Sequence, residues 1–547
     1  MKKYIYISAL LFISSGVISA QGEMDAYRFT QTDLNGTARS MSMGGAFGAL
    51  GGDMSSMSHN PAGLGVYRSS EVQTTLDLNM SNIDAAWTNI KNSENKTRFS
   101  FDNFSYVGYY PTGRDEGLKT WNIGFSYNKV KNFNRKYRAY GRPVYSMADY
   151  AASRATNAYK NKDGGVYGIP ENDLIYEQDQ YNPYNNRDLN GEWLSILGYG
   201  AGFFGAKYGD LGLNDVYHSA FGEWKGNTWS AYSPDDAELT ISERGSIDEF
   251  NISLSTNISD RVFIGATVSV TDVDYQMSSD HYETFGSTDD LYLDNDLETE
   301  GTGYSFNVGV IARPIDAIRL GVAYNSPKWY KMTDYYRADA GTYIAAYSDE
   351  PEMYAWTPDA AYTEYRFRTP GRWIFSAAGF IGTTALVSVD YELTDYTGMY
   401  LSDREGYAYT DENSFIKEDF KSAQTLKLGT EVKITPQFAV RAGYIWQPSP
   451  MKSHLINGTL EVRPMSTIPH YSVSNTTNYY TVGLGYRFTP NFYMDLACVY
   501  RIQDEKLYPF SNMGFNDPDN YVEPVEADPI KISAKTTRLA LTFGYKF

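Results

Sequence analysis

Side chains capable of chemistry are present in this sequence, but few stand in a pattern that chemistry would need. Asp390, Glu392 and Asp395 could be paired carboxylates for general acid–base work. Asp390 and Glu392 project to one face of an extended strand, and no Ser/His arrangement accompanies them, so a polar row is the better reading. Gly200 to Gly205, GAGFFG, has the spacing of a dinucleotide-binding turn. It follows a helix-like stretch without a strand–turn–helix context, and chance accounts for it. The glycines between Gly44 and Gly52 lack the Gly-Lys-Ser/Thr that completes a phosphate loop. The five histidines, His59, His218, His281, His454 and His470, are scattered without metal-ligand spacing. Asp289 to Glu300, DDLYLDNDLETE, could meet calcium, but the EF-hand glycine is missing and a solvated acidic outer loop is expected. The single Cys498 excludes internal disulfides and thiolate metal clusters, and sits in an apolar strand pattern. No enzyme, cofactor or metal is expected.

The elements that carry these residues point to a membrane wall. Residues 1–20 read as a secretory signal, with Lys2 and Lys3, an apolar run from Ile5 to Ile13, and Ile18-Ser19-Ala20 before the cut. Loss of those two lysines brings the net charge from −19 to −21, which argues against nucleic acid. Aromatic residues reach 16 %, with 49 Tyr, and no later stretch is apolar enough for a helical span. Barrel strands need no such stretch, because their apolar residues fall at every second position.

That alternation is clearest from Thr425 to Ile434. Leu426, Leu428, Val432 and Ile434 fall on one face and Lys427, Gly429, Glu431 and Lys433 on the other. Thr435-Pro436-Gln437 turns the chain, and Phe438 to Trp446 resumes the apolar face. The same pattern gives fourteen strands, near 71–81, 99–110, 120–131, 246–257, 261–274, 303–313, 317–330, 364–380, 384–395, 423–434, 438–447, 477–488, 492–503 and 536–547. Connections after strands 4, 6, 8, 10 and 12 are tight and those after odd strands long, as periplasmic turns and outer loops alternate in a barrel. A barrel of that size is too wide for its own side chains to fill. The repeated charges on the second face, among them Asp390, Glu392, Lys427, Glu431, Lys433, Asp495 and Arg501, suit a wet lumen. The longest outer loop, 132–245, is expected to hold a helix capped by Ser146 and running to about Asn157, and another from Glu192 to Phe203.

One segment lacks the strand pattern and is rich in Gly, Ala, Ser and Met: GTARSMSMGGAFGALGGDMSSMSHNPAGLGVYRSSE, from Gly36. It resembles the plug, or hatch, of the FadL/TodX family of outer-membrane transporters for long-chain fatty acids and other hydrophobic compounds, with the family's Asn-Pro-Ala motif at Asn60, Pro61 and Ala62. GTGYSFNVGVIARPIDAIRLGVAYNSP (301–327), TPGRWIFSAAGFIG (369–382) and TLKLGTEVKITPQFAVRAGYIWQPSP (425–450) carry the resemblance through the barrel. The resemblance implies an all-β fold: a fourteen-stranded antiparallel transmembrane barrel (70–547) with an N-terminal lumenal hatch (21–69), in the outer membrane of a Gram-negative bacterium. It also implies passive uptake of a hydrophobic molecule through a lumenal pocket, hatch movement, and lateral exit at a kink in the third strand. Here the alternation of Trp121, Ile123, Phe125 and Tyr127 breaks down at Asn128, Lys129, Val130 and Asn132. Phe29, with Met41, Met43 and Phe47, is the expected ligand contact. The aromatic C-terminus, Phe547, resembles the signal read by the barrel-assembly machinery. A monomer surrounded by outer-membrane lipid and lipopolysaccharide is expected, because a closed barrel has no free edge. Two other classes stay open: a haemin-binding receptor, and a non-transporting surface or secretion-system barrel acting through its long outer loop.

Overall fold

The computed structural model describes residues 22–547 apart from 161–165, 178–179, 190, 207–215, 227, 348–350, 359–361, 457, 459–461, 463–465 and 514–523. The expected signal, 1–20, lies outside the described residues. Fourteen strands build one wall: β1 Glu71–Trp87, β2 Ile90–Pro111, β3 Leu118–Asn132, β4 Asp236–Ile258, β5 Val262–Phe285, β6 Asp289–Ile315, β7 Ile318–Asn325, β8 Arg372–Ile381, β9 Ala385–Asp395, β10 Ser422–Lys433, β11 Phe438–Gln447, β12 Tyr471–Arg487, β13 Phe492–Tyr508 and β14 Ile530–Lys546. Each pairs antiparallel with the next. β14 returns to β1, from Glu71 opposite Lys546 to Ala86 opposite Lys531, and closes the barrel. Pairing of backbone groups between neighbouring strands around a closed wall is what lets strands cross hydrocarbon.

Several strands run much further than the apolar alternation suggests, and the reason is a change of phase. On β4, β5 and β6 the outward residues Ile252, Leu254, Ile264, Val268, Val270, Phe306, Val308 and Val310 are exposed to lipid. Further up the same strands, the apolar residues change sides. Leu239, Ile241, Val273, Tyr275, Met277, Leu291, Leu293 and Leu297 point inward and are buried. Within the membrane the apolar side must face out, but above it the exterior is water and the interior is packed protein. The acidic run Asp289 to Glu300 is therefore strand and not the loop expected from sequence. Asp294, Asp296, Glu298 and Glu300 face solvent, and Leu291, Leu293 and Leu297 face in.

The expected strands 317–330 and 364–380 are each interrupted. Pro327 and Pro370 cannot donate to a ladder, and the chain breaks at Ser326–Lys328 and Thr369–Gly371. It resumes as Trp329–Tyr343 and Tyr362–Arg368, which pair with each other above the membrane. In the 132–245 region, strand Arg135–Gly141 joins β4 above β3.

The hatch segment carries three short helices, α1 Glu23–Thr30, α2 Ala38–Ser42 and α3 Ser56–His59, and a 3-10 turn, Pro61–Val66. Above the barrel, α4 Met147–Thr156 begins at the Ser146–Asp149 capping box, and α5 Trp193–Gly200 lies within the second expected helix. All ten residues of α4 are buried, in one apolar core with Trp193, Leu197, Phe203 and Phe510. The outer mouth is thus covered by a folded cap.

Candidate functional site

The hatch is held in the lumen by backbone contact as much as by side chains. Asn60 caps the 3-10 turn by accepting from the Ala62 N–H (3.2 Å), and its Nδ2 donates to the Gly48 carbonyl (2.6 Å). Pro61 opens that turn at a position where its missing N–H costs nothing. Around them the wall offers glycines. A Cβ on Gly265 would collide with Pro61, on Gly309 with Asn60, on Gly321 with Gly48, on Gly443 with Met43 and Gly44, and on Gly483 with Ser42. Polar wall residues take the hatch's free backbone groups: Thr542 accepts from Ala38 N–H (2.7 Å), Asp390 accepts from Gly48 N–H (2.8 Å), and Thr267 and Thr481 donate to the Met57 and Ser42 carbonyls (3.0 and 2.9 Å).

Most of the second-face charges meet protein and not the wet lumen expected from sequence: Lys427, Asp390, Glu392, Glu431 and Asp495 are buried, whereas Arg501 is half-buried on a cavity and Lys433 is exposed. Lys427 pairs with Glu392 (2.6 Å), and Arg441 pairs with Glu431 and Asp495 (2.7 and 2.5 Å). Glu431 also holds Arg39 of α2 (3.0 Å). Asp395 stands apart and caps the following turn through the Thr397 N–H (3.2 Å).

From Phe29 to Asn35 the hatch runs between two lumenal cavities. One, of about 160 Å³, is lined by Tyr27, Arg28, Lys131, Asn132, Arg135 and Arg538, among others. The other, of about 170 Å³, is lined by Phe29, His59, Val130, Lys328, Pro370 and Tyr396, among others. Gln31 and Asp33 border both. Phe29 packs edge-on against Phe133 and Tyr275, with ring centroids 6.2 and 5.8 Å away. Met41, Met43 and Phe47 are fully buried. Met41 packs with Leu34, Tyr479 and Val499; Met43 and Phe47 pack with Leu50, Ala378 and Leu386.

The wall beside Asp33 is open at one seam. β2 and β3 pair from Asn103 opposite Asn128 down to Pro111 opposite Thr120 and no further up. Above that sill β2 is laddered only to β1, and the strand Arg135–Gly141 only to β4. Two bulges cause the parting: Asp102 is skipped in the β1–β2 register and Val130 in the β3–β4 register. Among the described residues the seam is crossed by side chains, Asn92 donating to the Arg138 carbonyl (3.0 Å) and Arg98 to Asn134. Outside the sill lie packed rings, Phe101 stacked on Tyr127 at 5.7 Å and Tyr127 tilted against Phe250 at 5.4 Å.

Asp33 ties the hatch to this seam. Its N–H donates to the Val130 carbonyl (2.8 Å), and its carboxylate accepts from the Asn132 N–H (3.0 Å) and from Lys131 Nζ (3.2 Å), with Arg501 at 3.7 Å. Asn128 reaches Ser58 of α3 (3.3 Å). Sequence reading missed Asp33, since an aspartate in the short polar run Thr30–Asn35 carries no pattern. It also missed the wall glycines, whose regular inward positions were the available signal. Among the described residues no group of three or more His, Cys, Asp or Glu side chains could hold a metal ion.

Residues 227–547 match the family of outer membrane protein transport proteins (OMPP1/FadL/TodX). Among solved structures, a FadL homologue of Pseudomonas aeruginosa is similar over 94 % of this chain and 99 % of its own, at 12 % identity and TM-score 0.49. The toluene transporters TodX of Pseudomonas putida and TbuX of Ralstonia pickettii are similar over the same shares, also at 12 % identity, with TM-scores of 0.45 and 0.46. No curated protein matches the sequence. With more than half of its length in the family match and a closed fourteen-stranded wall, this chain belongs to the OMPP1/FadL/TodX family of outer-membrane transport proteins of Gram-negative bacteria.

Proposed function

We propose that this protein takes up hydrophobic molecules, long-chain fatty acids or compounds like them, passively across the outer membrane. The molecule enters from outside, occupies the lumenal cavities on either side of Phe29–Asn35, displaces that segment, and leaves sideways through the β2–β3 seam. Phe29 touches the ligand, and Asn60-Pro61-Ala62 hold the rest of the hatch in register while the N-terminal part moves. Asn128, Lys129, Val130 and Asn132 form the exit. The observation that carries this reading is the attachment of Asp33 to the bulge at Val130, beside the seam where the β2–β3 ladder stops. A segment that divides two cavities and grips the seam couples ligand occupancy to exit.

A sideways route has a physical reason. Burial of apolar surface is favourable by roughly 25 cal/mol per Å², and a periplasmic exit would forfeit that gain, whereas an exit toward lipid keeps it. The charged lining of the cavity beside α1, with Arg28, Arg135 and Arg538, suits an amphiphile with a polar head better than a bare hydrocarbon.

Lipid extraction of the purified protein, combined with uptake of a radiolabelled long-chain fatty acid by cells expressing it, tests the proposal. A co-purifying fatty acid and uptake above the empty-vector strain support it. A Soret band in the purified protein, or an empty lumen with a protein partner and no uptake, contradicts it.

A further inference from the structure

The outer wall above β7 and β8 carries a feature that transport through the lumen does not use. Where the chain resumes beyond Pro327 and Pro370, the outward positions alternate with the buried Tyr330, Met332, Tyr365 and Phe367. The exposed residues nearest the lipid band are Lys331, Arg366 and Arg368. Lys331 stands directly opposite Arg366, and Trp329 opposite Arg368, so the three cations share one small area of the sheet. Among the described residues none of them is in an ion pair, although the chain as a whole has a net charge of −19. The nearby acid Glu364 is already held by Arg404 at 2.8 Å. Arg368 is braced over the Tyr400 ring at 5.1 Å.

The level of this cluster is set by what lies beneath and above it. Immediately below are the aromatic rings of an interfacial girdle: Tyr304 on Trp329 (5.7 Å), Phe306 beside Trp329 (6.3 Å) and Tyr324 against Trp373 (4.8 Å). About 13 Å further along the strand, at ~3.3 Å per residue, Tyr335 and Tyr362 face outward as a ring pair, 6.2 Å apart. The same flank thus presents an apolar tier, a cationic tier and an aromatic tier in order of height. On neighbouring β5 and β6, the first exposed charges above the band are Asp272, Asp274, Glu298 and Glu300, so the cationic tier does not extend onto those strands.

We propose that this flank is a docking surface for the phosphorylated glycolipid of the outer leaflet, lipopolysaccharide. Acyl chains lie on the aromatic girdle, the lipid A phosphates meet Lys331, Arg366 and Arg368, and the first sugars reach Tyr335 and Tyr362. Guanidinium groups bind phosphate through paired, charge-assisted hydrogen bonds, and unpaired cations beside a membrane surface are the expected mark of anionic lipid recognition.

The test is native mass spectrometry of the full-length protein released from detergent, titrated with lipid A, dephosphorylated lipid A and phosphatidylglycerol. The wild type is expected to retain lipid A at least tenfold better than dephosphorylated lipid A and better than phosphatidylglycerol. The triple variant Lys331→Glu/Arg366→Glu/Arg368→Glu is expected to lose that preference. Lys531→Glu/Lys535→Glu, on the outward face of β14, is expected to keep it. Equal retention of lipid A and its dephosphorylated form by the wild type overturns the proposal, even if the triple variant does not fold. Unchanged lipid A preference in a folded triple variant also overturns it, as does stronger retention of phosphatidylglycerol.

Discussion

Replacing Asp33 by alanine is expected to release the hatch from the seam. The carboxylate lies between Lys131 at 3.2 Å and Arg501 at 3.7 Å, and its own side chain is 16 % exposed. Deleting one partner of a buried pair leaves the other charge uncompensated, at a cost of about 3–5 kcal/mol. Both Asp33 and Arg501 retain some solvent access, so the lower figure applies, ~3 kcal/mol, which is about a hundredfold in an equilibrium. The backbone bond from Asp33 N–H to the Val130 carbonyl survives the substitution in principle, but it has to hold the segment alone. Hydrogen exchange of the Phe29–Asn35 amides should therefore speed up by about two orders of magnitude, while amides around Asn60 keep their protection. Asp33→Asn, which retains an acceptor for the Asn132 N–H, should fall between the two. Protection of Phe29–Asn35 within threefold of wild type in Asp33→Ala would refute the latch.

Other outcomes follow from the same geometry. Phe29→Ala removes the ring packed on Phe133 and Tyr275 and is expected to cut fatty-acid uptake severalfold with the barrel still folded; unchanged uptake in whole cells would remove Phe29 from the path. Deleting residues 22–65 empties the lumen of the segment that Gly265, Gly309 and Gly443 accommodate, and planar-bilayer recordings should then show conductance to small ions that the intact protein lacks. Gly443→Val forces the wall against Met43 and Gly44; overpacking of this kind costs about 1–3 kcal/mol, read as a lower thermal midpoint. In the cap, burial raises the Asp149 carboxyl from 3.8 to about 7. The folded cap therefore binds a proton that the unfolded chain releases, so its stability falls as pH rises from about 4 to about 7. Exchange at α4 should be slower at pH 5 than at pH 8 after correction for intrinsic rates, and Asp149→Asn should flatten the difference.

The strand count and the closure of the wall were legible because lipid imposes a strict two-residue period on the outward face, as from Leu426 to Ile434. Above the membrane that rule reverses. At Val270 the apolar residues of β5 face out, and by Val273 they face in, so a continuous strand looks like the end of one. The breaks at Pro327 and Pro370 were visible as residues but not as interruptions, since proline at a bulge and proline in a turn read alike. In the lumen, Lys427, Glu431 and Asp495 are polar whether water or a plug faces them. Only their partners, Glu392 for Lys427 and Arg441 and Arg39 for the acids, decide between the two, and partners distant in sequence leave no local trace. Asn60-Pro61-Ala62 was recognisable because its turn chemistry is local. Asp33 was not, because its role depends on a bulge one hundred residues away.

The central claim is that substrate leaves through the β2–β3 seam. Arg98 and Asn134 already meet across it, so cysteines at those two positions, in a Cys498→Ser background, can be joined by a short bis-maleimide. The claim predicts that cross-linking in intact cells abolishes fatty-acid uptake, while either single cysteine treated with the same reagent transports normally. Uptake at the wild-type rate by the fully cross-linked protein would contradict it.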